Sequence, residues 1–287
     1  MAGSVPQQTK AQRREAARLE AQRVAEANAA RDARTKRIIW GVLGALMVAL
    51  VAAVLVVARP WERDAPVPNF TAVPLDQVTN VPANTTYEGG FALTAAGGST
   101  GVLDPNLPTL DVYFDYRCIW CQHFEDINQA GIEALTAAGE ANIVMHPVAI
   151  MNQTNPRAQF STRAVAAAGW IAQYAPEHFW QFHLSLFANQ PNEANPDLTN
   201  RQIANIAEAV GVPASVAAGI ADGTATNTFG EWAVSLTAHA VADPALQNPD
   251  GGFGTPTILL DGVRFDGDWT DPQVIPDAIA LAAAARD

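Results

Sequence analysis

Between residues 157 and 248, apolar side chains and alanines recur at helical spacing in five segments, 157–175, 176–188, 198–210, 214–221 and 227–242. A loop rich in Asn and Pro, 189–196, divides them. Upstream the pattern alternates instead. Residues 110–116, LDVYFDY, carry β-branched and aromatic residues and predict a strand. Residues 87–94 predict a weaker strand with two glycines, and 143–150 a further one. Between 110–116 and 143–150, residues 118–138 place Phe124, Ile127, Ile132 and Leu135 on a helical period. Downstream, 257–260 and 263–265 flank Asp261-Gly262, a strong hairpin signal, and 276–286 closes the chain as a helix. The order is strand, helix, strand, helical block, hairpin, helix. That is an α/β class with an all-helical insertion over about 157–248.

One apolar stretch has no period at all. Residues 38–58 read IIWGVLGALMVALVAAVLVVA, 21 residues without a charge. A helix of that length is roughly 30 Å long and crosses a hydrocarbon core. A cleavable signal peptide has a shorter apolar run and a short basic head. Here the head spans 1–37, so a single transmembrane anchor is the expectation, with cleavage near Val56-Val57-Ala58 as the alternative. The 20 residues before the span hold Arg18, Arg23, Arg31, Arg34, Lys36 and Arg37, and the 20 after it only Arg59 and Arg63. This asymmetry places the 1–37 tail in the cytoplasm and the remainder outside the cell membrane. The tail reads as a solvated basic segment attracted to anionic lipid. Residues 59–83, with five prolines, read as an extended linker.

Charge divides along the same line. The chain of 287 residues is 49% hydrophobic and 16% charged, with a formal net charge of −12. Residues 1–37 carry nine Lys/Arg and four Asp/Glu, whereas 59–287 carry eight Arg, no Lys and 25 Asp/Glu. The apolar content excludes wholesale disorder, and the acidic bulk argues against nucleic acid as a partner. Two cysteines exclude a multi-disulfide framework and a four-cysteine zinc site.

Both cysteines fall in one motif, Cys118-Ile119-Trp120-Cys121, where the predicted strand meets the predicted helix. A thiolate at a helix N-terminus faces unpaired N–H groups and the positive end of the macrodipole, which lowers its pKa. Cys118, at the turn, is therefore expected as the exposed nucleophile, and Cys121, one turn on, as the group that resolves a mixed disulfide. A structural disulfide would close too short a loop to stabilise much. A metal site lacks ligands, since His123 faces another direction and His146, His178 and His239 show no partner spacing. Strand–CxxC–helix is the context of a redox-active dithiol. Gly254-Thr255-Pro256-Thr257 then precedes the hairpin, after the helical block.

Taken together, DVYFDYRCIWCQHFED, the insertion with STRAVAAAGW and EHFWQFHLSLFANQP, and GTPTILLDG resemble the DsbA-like thiol:disulfide oxidoreductases, most of all the membrane-anchored actinobacterial members. The resemblance covers 84–287 and implies a thioredoxin-like fold. It implies that Cys118 attacks, that Cys121 resolves, and that Thr255-Pro256 is the cis-proline pair whose backbone aligns a substrate strand. It also implies reduced exported proteins as substrates and a membrane quinone-linked thiol oxidase as reoxidant. The redox group would be the Cys118–Cys121 disulfide itself, with no bound cofactor, since no phosphate loop or dinucleotide fingerprint occurs.

Two departures from the family pattern stand out. Ile119 occupies a position where relatives commonly have proline, which leaves a reductase or isomerase as the alternative to an oxidase. A non-catalytic peptide-binding module is another alternative. Val112 stands where many relatives have an acid six residues before the first cysteine; Asp111 and Asp115 lie nearby. Asp115 is either a proton shuttle for the resolving cysteine or, the better reading, a solvated turn residue. Arg117 either adds to thiolate stabilisation or points away, and Trp120 either borders the substrate groove or packs. Phe179, Trp180, Phe182 and Phe187 read as core, with groove lining as the alternative, and His183 as a hydrogen-bonded core histidine.

Overall fold

A computed structural model describes residues 67–86, 88–154, 159–191 and 197–286. The basic tail, the anchor expected over 38–58 and the start of the linker lie outside the described residues. Among the described residues, no helix is long and apolar enough to cross a membrane.

Among the described residues, six strands form one sheet: β1 Phe91–Leu93, β2 Ser99–Thr100, β3 Thr109–Phe114, β4 Asn142–Pro147, β5 Thr257–Leu260 and β6 Val263–Arg264, in the order β2-β1-β4-β3-β5-β6. β3 and β4 run parallel, in register from Thr109 opposite Asn142 to Phe114 opposite Pro147, and the other pairs are antiparallel. A parallel pair needs a crossover, and helix α1, Ile119–Ala138, supplies it. α1 stops at Gly139, whose φ of 66° is a left-handed conformation that favours glycine. β5 and β6 turn through Asp261 and Gly262 at φ 52° and 75°, the two positive values a tight two-residue hairpin requires.

The insertion between β4 and β5 is all-helical: α2 Phe160–Tyr174, α3 Phe179–Ala188, α4 Asn200–Ala209, α5 Ala214–Ala221 and α6 Thr224–Ala242. α2 lies along α6. They meet closely at Gly169, where the Trp232 ring of α6 occupies the space a Cβ would take. The chain ends in α7, Val274–Ala284, with Pro276 in the first turn where its missing N–H has no intrahelical acceptor to lose.

Several boundaries shift from the sequence expectation. The strand expected over 87–94 pairs only at Phe91–Leu93, after Gly89, which turns at φ 79° in a place where a Cβ would overlap Leu236. The strand expected over 143–150 ends at Pro147, and Ile150–Thr154 forms a 3-10 turn. β2 is an additional strand, made by a hairpin through Gly97 (φ 79°).

The larger correction concerns the segment expected as an extended linker over 59–83. From Phe70 onward it packs on the domain. The Phe70 ring fills the space that a Cβ at Gly230 would take, and Pro82 sits against Gly169. The Val73 N–H donates to the buried Ser235 hydroxyl at 3.0 Å, and Leu75 and Val78 join the core. Glycine on the helix faces leaves recesses that proline and aromatic side chains fill, which composition alone does not reveal.

Candidate active site

Asp115 follows the last residue of β3, and Cys118 caps α1. Between them the backbone closes a tight turn: Cys118 N–H donates to Asp115 O at 2.9 Å, and Arg117 N–H to Asp115 Oδ1 at 2.8 Å. Cys118 is extended (φ −76°, ψ 118°), as an N-cap residue must be, so its side chain leans over the free N–H groups of the first helical turn. Cys121 lies at the third helical position, on the buried face with Phe124 and Glu125.

Opposite the pair stands Thr255, joined to Pro256 by a cis peptide bond. The Cys118 thiol donates to the Thr255 carbonyl oxygen at 3.3 Å. Both cysteines are free thiols, and their environments pull them apart. Cys118 is lowered from 9.0 to about 6, chiefly by the hydrogen bond from the Cys121 thiol. Burial opposes this, while the Thr255 side chain and the N–H groups of Cys121 and Trp120 add to it. The carbonyl of Thr255 serves only the protonated form; the thiolate turns to these donors. Cys121 is pushed well above 9.0, first by burial, then by its bond to Cys118 and by the charge there.

The sequence expectation of an exposed nucleophile needs correction. Cys118 is only 6% exposed, because the Thr255–Pro256 loop covers it. The exposed groups are the two residues between the cysteines, Ile119 at 53% and Trp120 at 60%. Trp120 is therefore not packed into the core; its ring leans toward His123, 5.7 Å between centroids.

Asp115 also departs from expectation. It is not a solvated turn residue but fully buried, accepting from Arg117 N–H, from Met151 N–H at 2.8 Å and from the Ser161 hydroxyl at 2.7 Å. Burial pushes its carboxyl up to about 6 against those three bonds, and charge on Cys118 adds to the rise. Arg117 contributes its backbone to this turn; its guanidinium is not among the main groups that lower Cys118. Val112 is a core residue, and Asp111 binds His146 Nε2 at 2.9 Å beneath the stacked Tyr113 ring.

The insertion contributes one side chain that the sequence reading did not single out, Gln190, and one that it did, His183. Gln190 Nε2 donates to the carbonyls of both Tyr116 and Cys118, each at 2.9 Å. His183, buried as expected, has Nδ1 3.2 Å from the Tyr116 hydroxyl and Nε2 3.1 Å from Glu125 Oε1. Phe179, Trp180, Phe182 and Phe187 surround it as core. Among the described residues, no group of three or more His, Cys, Asp or Glu is placed to hold a metal ion.

A family model described as Thioredoxin matches residues 106–274, which include both cysteines and the cis-proline. The chain belongs to this thioredoxin family. Its fold is that of DsbA-type thiol-disulfide oxidoreductases. MdbA of Actinomyces oris, a thiol-disulfide oxidoreductase, superposes with a TM-score of 0.57 at 22% identity, over 74% of this chain and 96% of that one. Oxidised DsbA of Mycobacterium tuberculosis gives 0.50 at 24% identity, over 69% and 100%. BdbD of Bacillus subtilis gives 0.52 at 18%, over 71% and 98%. No curated protein sequence matches the chain. In this thioredoxin-family protein the Cys118–Cys121 pair occupies the active-site position of the fold.

Proposed function

We propose that this protein is a membrane-anchored, extracytoplasmic thiol:disulfide oxidoreductase that oxidises cysteine pairs of exported proteins. The observation that carries the reading is the opposed pair of thiols: Cys118 lowered to about 6 beside a buried Cys121 raised well above 9.0. Membrane anchoring and location rest on the uncharged 38–58 segment and the basic residues before it.

In the oxidised enzyme a substrate thiolate attacks Cys118 Sγ. A substrate–Cys118 disulfide forms, the Cys118–Cys121 bond breaks, and the electron pair leaves on Cys121 Sγ, whose high pKa makes it take up a proton. A second substrate thiolate then attacks the substrate sulfur of the mixed disulfide. The substrate is released with its own disulfide, and Cys118 departs as a stabilised thiolate. Two electrons have passed from two substrate thiols to the enzyme dithiol. A membrane quinone-linked thiol oxidase would then restore the disulfide. The Thr255–Pro256 backbone, beside Cys118, offers an edge for an extended substrate segment, and exposed Ile119 and Trp120 border it.

The test is equilibration of the full chain with glutathione, together with disulfide transfer to a reduced protein. An oxidase equilibrates near the oxidising end of the thioredoxin superfamily and loses transfer in Cys118→Ser. A potential near that of thioredoxin assigns a reductase instead, and full function in Cys118→Ser assigns a peptide-binding module.

A further inference from the structure

We propose that Gln190 is a positioning residue through which the helical insertion controls the thiolate character of Cys118. The proposal deepens the reading above, since it takes Cys118 as the attacking sulfur.

One carboxamide NH2 group carries two hydrogens, and here each has its own acceptor: Tyr116 O and Cys118 O, both 2.9 Å from Nε2. The second contact spans 72 residues of sequence and joins the insertion to the main chain of the nucleophile. The same Cys118 carbonyl accepts Gln122 N–H at 3.2 Å, the bond that opens α1. Held from two directions, this carbonyl fixes the plane of the Cys118–Ile119 peptide and keeps the Cys118 ψ at 118°. That is the extended value an N-cap requires for its side chain to meet the N–H groups two and three residues on. Those residues are Trp120 and Cys121, whose N–H groups support the Cys118 thiolate. No Ser, Thr, Asp or Asn caps this helix; the sulfur itself does so when charged.

Gln190 is well placed to hold rather than follow. Its own N–H donates to Phe187 O at 3.0 Å at the exit of α3. From the same helix, Phe187 packs on the Tyr116 ring with centroids 5.1 Å apart, and His183 meets the Tyr116 hydroxyl. Tyr116 is thus gripped at its ring by α3 and at its carbonyl by Gln190, two residues past the end of that helix, and Cys118 lies two residues further along. Gln190 is bonded to the main chain of Cys118 and acts on the sulfur through it.

The experiment compares Gln190→Leu, similar in size but without donors, with the wild type, both as reduced full-length protein. Thiolate absorbance and alkylation rate are followed against pH, and the equilibrium with glutathione is measured. The Cys118 midpoint is expected to rise by about one pH unit, leaving roughly tenfold less thiolate below it. The glutathione equilibrium moves toward the oxidised enzyme by up to about the same factor, because the reduced form has lost its stabilised charge. Asn189→Ala, which removes the Asn189 Nδ2 bond to Ser185 O at the same helix end, should lower the melting temperature and leave the midpoint in place. A folded Gln190→Leu with an unmoved midpoint overturns the proposal. If that variant does not fold, Gln190→Asn, too short to reach both carbonyls, is read the same way. An ordinary thiol midpoint in the wild type would overturn the reading of Cys118 itself, a separate outcome.

Discussion

The Cys118 sulfur and the Thr255 carbonyl oxygen lie 3.3 Å apart, although 137 residues separate them in sequence. The whole helical insertion lies between them in the chain, and Thr255 stands just ahead of β5. The contact puts the Cys118 sulfur beneath a strip of main chain, the strip along which the proposed substrate segment would lie.

Replacing Cys121 with alanine removes the resolving sulfur and leaves Cys118 able to attack. The variant is expected to accumulate disulfide-linked conjugates with exported proteins, visible as reducible bands on gels. Cys118→Ser should give none. Conjugates of equal abundance in both variants would contradict the assignment of roles.

Asp115 ties the site to pH. Its carboxyl is raised from 3.8 to about 6 by burial, so the ionised form costs the fold stability, of order 3 kcal/mol, at pH above about 6. That cost fades as pH falls from about 6 and is absent below about 3.8. Asp115→Asn removes the charge, so its stability relative to wild type should improve on going from pH 4 to pH 7. At every pH the amide leaves one of the three donors poorly matched, a loss of about 1–3 kcal/mol. Removing the carboxylate charge should also lower the Cys118 midpoint, since the two charges repel. Denaturant unfolding across pH, with thiolate absorbance alongside, checks both signs.

Glu125 and His183 form a buried pair between α1 and α3, 3.1 Å apart. His183→Leu leaves the buried Glu125 side chain facing apolar atoms and is expected to cost about 1–3 kcal/mol. Adding Glu125→Leu should recover most of that loss, because two apolar side chains need no partner. Equilibrium unfolding of the two single variants and the double variant measures the coupling; strict additivity would show that the pair does not interact.

Phe70 is half-buried against Gly230. Phe70→Ala is expected to lower stability by about 2 kcal/mol, at or below the lower end for aromatic truncation. Gly230→Val should displace the ring and destabilise by about 1–3 kcal/mol. The two effects should not add, since each removes the same contact. A loss-free Phe70→Ala would mean that the segment from Phe70 is a free linker after all.

The order of elements, the helical insertion, the hairpin at Asp261-Gly262 and the CxxC at a helix start were all legible in sequence. Each rests on neighbours within a few turns: period, turn chemistry, and the geometry of a helix N-terminus. The helix predicted over 214–221 matches Ala214–Ala221 residue for residue. β2 escaped because a strand of two residues carries no period.

Asp115 escaped for a different reason. Within three residues of a cysteine at a turn, an aspartate is ordinarily solvated, and here it is buried only because Met151 and Ser161, from beyond β4, converge on it. The same holds for Phe70, which looks like part of a proline-rich linker until α6 presents a glycine to receive it. Local pattern was enough to place two thiols at a helix terminus and so to name their chemistry. Which sulfur is covered, which acid is buried and which glutamine holds the nucleophile's backbone depend on contacts between distant segments. Those contacts form only when the insertion folds back on the sheet, so no periodicity along the chain records them.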